Sequence, residues 1–214
     1  MVDKRRRGPE PAGGLPRVEY KPGMAQEMLR ELAPLLADEG IDLSGDNPPD
    51  MQTLQAALTR AVERRNLELF TPVGQTRQIA VDTLRHVVAA ILRGDSTEAG
   101  RLLEQVQPES PDNADATVSS CIGIALGVLD DTLTAADAPT VTLPAGHWTG
   151  ERAATDILVL ARKGKAFRSL DKLLIRQGGP HVLHGAALAL AATVAAVARA
   201  TNTPTENITR ALIY

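Results

Sequence analysis

Apolar residues recur at three- and four-residue spacing along most of this chain, the period of a helix with one buried face. Met28, Leu29, Leu32, Leu35 and Leu36 carry the pattern over residues 24–39, with Pro34 inside it and Gly40 as a stop. A second run covers 51–69 through Leu54, Ala57, Leu58, Ala61 and Val62, with Arg60, Glu63, Arg64 and Glu68 on its wet side. Asp50 precedes it as an N-cap, and Thr71-Pro72-Val73-Gly74 breaks it. The third run covers 75–92 on Ile79, Leu84, Val87, Val88, Ile91 and Leu92, and Gly94 ends it. Asp95 or Ser96 starts a fourth helix carrying Leu102, Leu103 and Val106, which Pro108 and Pro111 close. Asp112 or Asn113 caps a fifth, running to about Leu133, whose centre reads as buried all round.

Residues 135–150 break the periodicity with Pro139, Pro144, Gly146 and Gly150. Thr140 to Leu143 suits one short extended segment, and a single strand makes no sheet. Helical periodicity returns over 151–163 and 165–177 around Gly164, then over the alanine-rich 181–200 and a final 205–212. The pattern predicts an all-α fold, a helical bundle of about eight helices. It forms either one compact body or two packed helical halves. The expected division is a Pro/Gly-rich basic tail at 1–23, a helical region at 24–137, a linker at 138–150, and a helical region at 151–214.

Composition sharpens this picture. Tyr20, Phe70, Trp148, Phe167 and Tyr214 are the aromatic residues, so the core must be built from Ala, Leu, Val and Ile. Trp148 lies in the linker and is expected to pin it. The stretch 177–198 contains no Asp, Glu, Lys or Arg and is long enough to span a bilayer. It is dominated by alanine, interrupted by Gly178, Gly179 and Pro180, and carries His181 and His184. A buried helix of a soluble body is the expected reading, with no membrane partner. Cys121 stands alone, so no internal disulfide forms. Residues 1–14 lack the apolar core of a signal peptide. A reducing, cytoplasmic setting follows as the expectation.

Small residues define a candidate helix-packing seam. Ser119, Gly123 and Gly127 lie four apart on the fifth helix, and Gly185 and Ala189 do the same on the alanine-rich one. Such a seam serves an internal helix pair or an interface between two copies.

Net charge is −3, which gives no global attraction to nucleic acid, yet the charge is segregated. From Asp95 to Asp137 the chain is acidic, with only Arg101 opposed. From 162 to 176 it is basic: Arg162, Lys163, Lys165, Arg168, Lys172 and Arg176 face only Asp171. On one helix, Arg162, Lys165, Lys172 and Arg176 would form a stripe opposite Phe167, Leu170 and Leu174. Arg162, Lys165, Arg168, Lys172 and Arg176 are the candidate partner-binding residues, for an acidic protein or the acidic half of a second copy. Nucleic-acid phosphate is the alternative, with the basic run Lys4 to Arg7 as an arm.

Val194 to Leu212, with Ala198 in its first helix, a turn near Asn202, and Ile208 and Leu212 in its second, resembles the helix-turn-helix of bacterial repressor headpieces. The resemblance implies a reading helix contacting DNA through Asn207 and Arg210, with Glu206 opposed to it. Two core helices joined by a turn is the competing reading.

Chemistry-bearing motifs are sparse. Phosphate-binding loops, dinucleotide fingerprints and nucleophile elbows are absent from the sequence. His181 and His184 are three apart and suit one helical face, with His147 as a possible third zinc donor, but no HExxH or Cys pair accompanies them. Asp130-Asp131 has no second acidic motif to complete a cation site. The sequence therefore supports a non-enzymatic interaction or scaffold protein, without cofactor or metal, that binds a protein partner or itself. The alternatives are a nucleic-acid-binding regulator using 162–176 and the C-terminal helix pair, and a helical metal-dependent enzyme.

Overall fold

Alanine has the highest helix propensity, and the alanine-rich stretch forms the longest helix among the described residues. The computed structural model describes residues 32–34, 36–42, 50–106 and 118–214. Of the helix expected over 24–39, residues 32–34, 36 and 37 are helical, and 24–31 and 35 lie outside the described residues. The helices that follow are α1 (Met51–Phe70), α2 (Gly74–Leu92), α3 (Ser96–Glu104), α4 (Val118–Leu133), α5 (Glu151–Ala161), α6 (Leu170–Gln177), α7 (Gly179–Thr201) and α8 (Thr205–Leu212). A single 3-10 turn, Phe167–Ser169, leads into α6. The fold is all-α, with no strand among the described residues. Thr140 to Leu143 is irregular. The 1–23 tail and the Asp112 and Asn113 caps lie outside the described residues.

Contacts divide the chain into two compact units, Met1–Glu63 and Arg64–Tyr214, with the boundary inside α1. In the first unit, Leu36, Ala57 and Ala61 are buried. Asp50 caps α1 by accepting the Thr53 N–H at 2.9 Å and the Thr53 hydroxyl at 2.8 Å. Those bonds hold the Asp50 carboxyl below its ordinary pKa, because they favour the charged form. Arg60 reaches Glu39 at 3.0 Å.

The second unit is organised around α7, which packs against α2, α3, α4, α5, α6 and α8. Val182, Leu188, Leu190 and Val194 of α7 are buried with Leu84 and Val88 of α2, Ile122 and Leu129 of α4, and Ile157 of α5. Helices from both sides of 138–150 therefore share one core. Among the described residues, α7 is the only helix long and apolar enough to cross a membrane, and 78% of its apolar window is buried inside the protein. Neighbouring helices thus cover the surface that a bilayer would otherwise cover. Gly178 and Pro180 start α7, and Asn202, at φ 50°, ends it by donating its N–H to the Ala198 carbonyl. The buried Thr193 hydroxyl donates to the Ala189 carbonyl at 2.9 Å, so no polar atom is stranded there.

Residues 138–150 lie along this core. Ala138, Val141, Leu143 and Trp148 pack against it. The Trp148 indole N–H donates to the Ala145 carbonyl at 3.4 Å. Gly150, at φ +80°, lies so close to α7 that a Cβ there would sit 2.6 Å from the Gly185 nitrogen. Only glycine meets both requirements, and this fixes where α5 begins.

The helix expected over 165–177 begins two residues later, as the 3-10 turn Phe167–Ser169 running directly into α6. Gly164, at φ +60°, follows the end of α5, and the chain re-enters helix only at the 3-10 turn. Its start is fastened from α4. The Asp130 carboxylate accepts the Ala166 N–H at 2.9 Å on one oxygen and the Phe167 N–H at 3.0 Å on the other. An acid thirty-six residues upstream thus caps the start of a new helical segment. This also accounts for Asp130, which the sequence left as a possible cation ligand. Replacing Asp130 with alanine should cost about 2 kcal/mol, and asparagine, with one acceptor oxygen, about half as much. Urea unfolding with hydrogen exchange at Ala166 and Phe167 checks this; unchanged protection at both amides would contradict it.

Candidate interaction surface

The basic residues of 162–176 are displayed on a turn, a 3-10 turn and a short helix, because Ala161, Ala166, Leu170 and Leu173 turn inward to the core. Arg162, Lys163, Lys165, Arg168 and Lys172 are all exposed. None of these five makes an ion pair or side-chain hydrogen bond among the described residues. Arg176 differs: it holds Asp156 of α5 at 2.6 Å, and Gln177 donates to the same oxygen at 2.7 Å. Its charge is spent on joining α6 to α5. Phe167 and Leu174 are half-buried, Leu170 and Leu173 are buried, and Ile175 is 85% exposed beside the cations.

The small residues do not form one seam. Gly185 faces α5, where a Cβ would meet the Ala153 Cβ at 2.5 Å and the Ala154 nitrogen at 2.7 Å. Ala189 is fully buried on the same helix. Gly123 instead faces the end of α1, where a Cβ would collide with the Phe70 carbonyl. Gly127 has open space before it and borders a cavity of about 680 Å³ with Val73, Phe167 and Tyr214. Ser119 is buried.

The histidines are divided between two depressions. His147 and His184 line a cavity of about 200 Å³ with Ser96, Thr97 and Trp148, whereas His181 lines another with Arg152 and Arg176. Among the described residues, no group of three or more His, Cys, Asp or Glu is placed to hold a metal ion. Burial lowers the His184 pKa from its ordinary value, the nearby His181 lowers it further, and Glu104 partly opposes both. The folded state therefore binds the proton more weakly than the unfolded one. The stability linked to His184 is complete above the unfolded value of about 6.5 and is lost as pH falls below it. Thermal midpoints between pH 7.5 and 5 should fall more steeply for the native chain than for His184→Gln; identical slopes would contradict this.

The C-terminal helix pair is tied to α2. Arg85 donates to the Ile213 carbonyl at 3.0 Å, and Arg77 donates to the Tyr214 carbonyl at 2.6 Å. The Arg77 guanidinium lies 5.8 Å over the Tyr214 ring. Thr209 and Ile213 are buried, while Glu206, Asn207 and Arg210 are exposed. Sequence periodicity shows neither these ties nor the Asp130 cap, because each joins residues distant in the chain. No family model matches the chain, and no curated protein and no solved structure is significantly similar to it.

Proposed function

We propose that this chain is a non-enzymatic helical interaction protein that recognises an acidic protein partner through Arg162, Lys163, Lys165, Arg168 and Lys172. The observation that carries this reading is that five exposed cations in one short segment, with Asp171 as the one acid among them, make no ion pair among the described residues. Several arginines elsewhere are paired: Arg60 with Glu39, Arg85 with Asp82, Arg101 with Glu98 and Arg176 with Asp156. Clustered like charges repel one another, and an acidic partner relieves that repulsion while its approach is steered. Each exposed pair contributes only ~0–1 kcal/mol, so the surface acts through number and through association rate. Exposed Ile175 supplies an apolar contact next to the charges. The acidic half of a second copy is the self-association form of the same reading.

A triple reversal, K165E/R168E/K172E, tests it with a labelled glutamate-rich peptide as probe. The three side chains are exposed, so the thermal midpoint should stay nearly unchanged. Peptide affinity should drop by about tenfold or more, and the native affinity should weaken as salt rises. Equal affinity of the native and reversed chains would remove this surface from the account. A stronger salt-dependent affinity for DNA duplex would favour the nucleic-acid reading instead.

A further inference from the structure

Helix α7 carries alanine at 191, 192, 195 and 198, and all four line one cavity. That cavity, of about 810 Å³, lies between the last turn of α2, residues 142–144 and the C-terminal half of α7. Ile91, Leu92, Leu143 and Pro144 form its other apolar walls. Among the residues lining it, one is charged, Arg199, and no acid is present. Arg199 follows Ala195 by four positions, so it shares that face of α7 at the end of the slot. Its Nε–H donates to the Ala195 carbonyl at 3.3 Å, and it has no carboxylate partner among the described residues. The two terminal amino groups of the guanidinium remain available as a fork. Thr203 and Thr205 line the same end with hydroxyls.

We propose that this cavity binds a single-chain amphipathic carboxylate, with its hydrocarbon tail along the alanine face and its head on Arg199. The volume falls within the range of about 300–1,000 Å³ typical of small-molecule sites. The alanine, leucine and proline walls offer a tail only apolar contact, so tail binding is driven by removal from water. A planar guanidinium matches a carboxylate through two parallel hydrogen bonds. One unpaired cation and no lining acid select a single negative charge over a neutral or cationic head.

Calorimetric titration of the full chain with decanoate, decanol and decyltrimethylammonium, each kept below micelle formation, tests the proposal. Decanoate should bind, decanol about tenfold more weakly, and the cation not measurably. Arg199→Gln, at an exposed position, should weaken decanoate about tenfold and leave decanol unchanged. Ala195→Phe should block both by filling the slot, with circular dichroism confirming that the helices persist. If that variant unfolds, the Arg199→Gln comparison alone decides. Absence of decanoate binding, equal binding of all three probes, or decanoate affinity unchanged in Arg199→Gln would overturn the proposal.

Discussion

Replacing Gly123 with alanine should destabilise the protein severely, although alanine is the better helix former. A mid-helix glycine-to-alanine change ordinarily stabilises by about 0.5–1 kcal/mol. Here the added methyl would occupy the place of the Phe70 carbonyl, with the Phe70 Cα and carbonyl carbon directly behind it. The obstacle is backbone, which cannot rotate away as a side chain can. Phe70 is itself in the core, and Thr71 fastens the end of α1 by donating its N–H to the Leu67 carbonyl at 2.8 Å. The end of α1 must therefore move away from α4 and draw Phe70 out of its site. We expect a loss of about 3 kcal/mol or more, or a midpoint lower by roughly 6–12 °C. Gly127→Ala, one turn further along α4, should do the opposite. Nothing lies within 4 Å of the methyl position there, so a gain of about 0.5–1 kcal/mol is expected. Urea unfolding of the two variants checks both signs, and equal effects would contradict the assigned contacts.

Gly185→Ala should be nearly as damaging, because α5 approaches α7 more closely than side chains ordinarily permit. A Cβ at 185 would stand 2.5 Å from the Ala153 Cβ, 2.7 Å from the Ala154 nitrogen and 2.9 Å from the Ala153 carbonyl carbon. Gly150 closes on the same spot from the preceding turn. Two glycines and an alanine thus set the spacing of the central helix pair. Forcing it wider exposes Ala154, Ile157 and Ala161, all fully buried, together with the α7 residues facing them. We expect Gly185→Ala to cost about 2–3 kcal/mol and Gly185→Val to leave little folded protein. In the Gly185→Ala background, Ala153→Gly should recover part of the loss, since it removes one of the three obstacles. A double-mutant cycle should return a favourable coupling of about 0.5–3 kcal/mol. Strict additivity would mean that the two positions do not touch.

Most of the fold was legible because the signals that start and stop its helices are local. Asp50 and Asp95 cap α1 and α3 as their positions imply, and the Asp95 carboxylate accepts the Glu98 N–H at 2.9 Å. The predicted ends of α2, α7 and α8 lie within a few residues of those observed. Periodicity identified the α7 helix as a buried one because no charge interrupts it from 177 to 198. Legibility failed wherever a distant residue intervened. Helical periodicity over 165–177 is met to within two residues, but it does not reveal that Asp130 of α4 caps the start of that segment. Arg176 looked like one more member of a basic stripe until the fold placed it against Asp156. The small residues were recognisable as close-contact positions, yet spacing along one helix does not reveal its neighbour. Gly123 meets Phe70, Gly185 meets Ala153, and Gly127 meets open space. The cavity beside α7 is missed for a related reason. Alanine reads as a core residue whether or not a neighbour fills the space beside it.

The proposed recognition of an acidic protein partner depends on the exposed, ion-pair-free cations of 162–172. Its most direct measurement is anisotropy of two labelled probes of similar net charge, a glutamate-rich peptide and a short DNA duplex, titrated with the full chain. Both should be followed from low to near-physiological salt. The peptide should bind more tightly than the duplex at every salt concentration, with an affinity that K165E/R168E/K172E lowers about tenfold or more. Preference for the duplex, or no peptide binding at low salt, would contradict it.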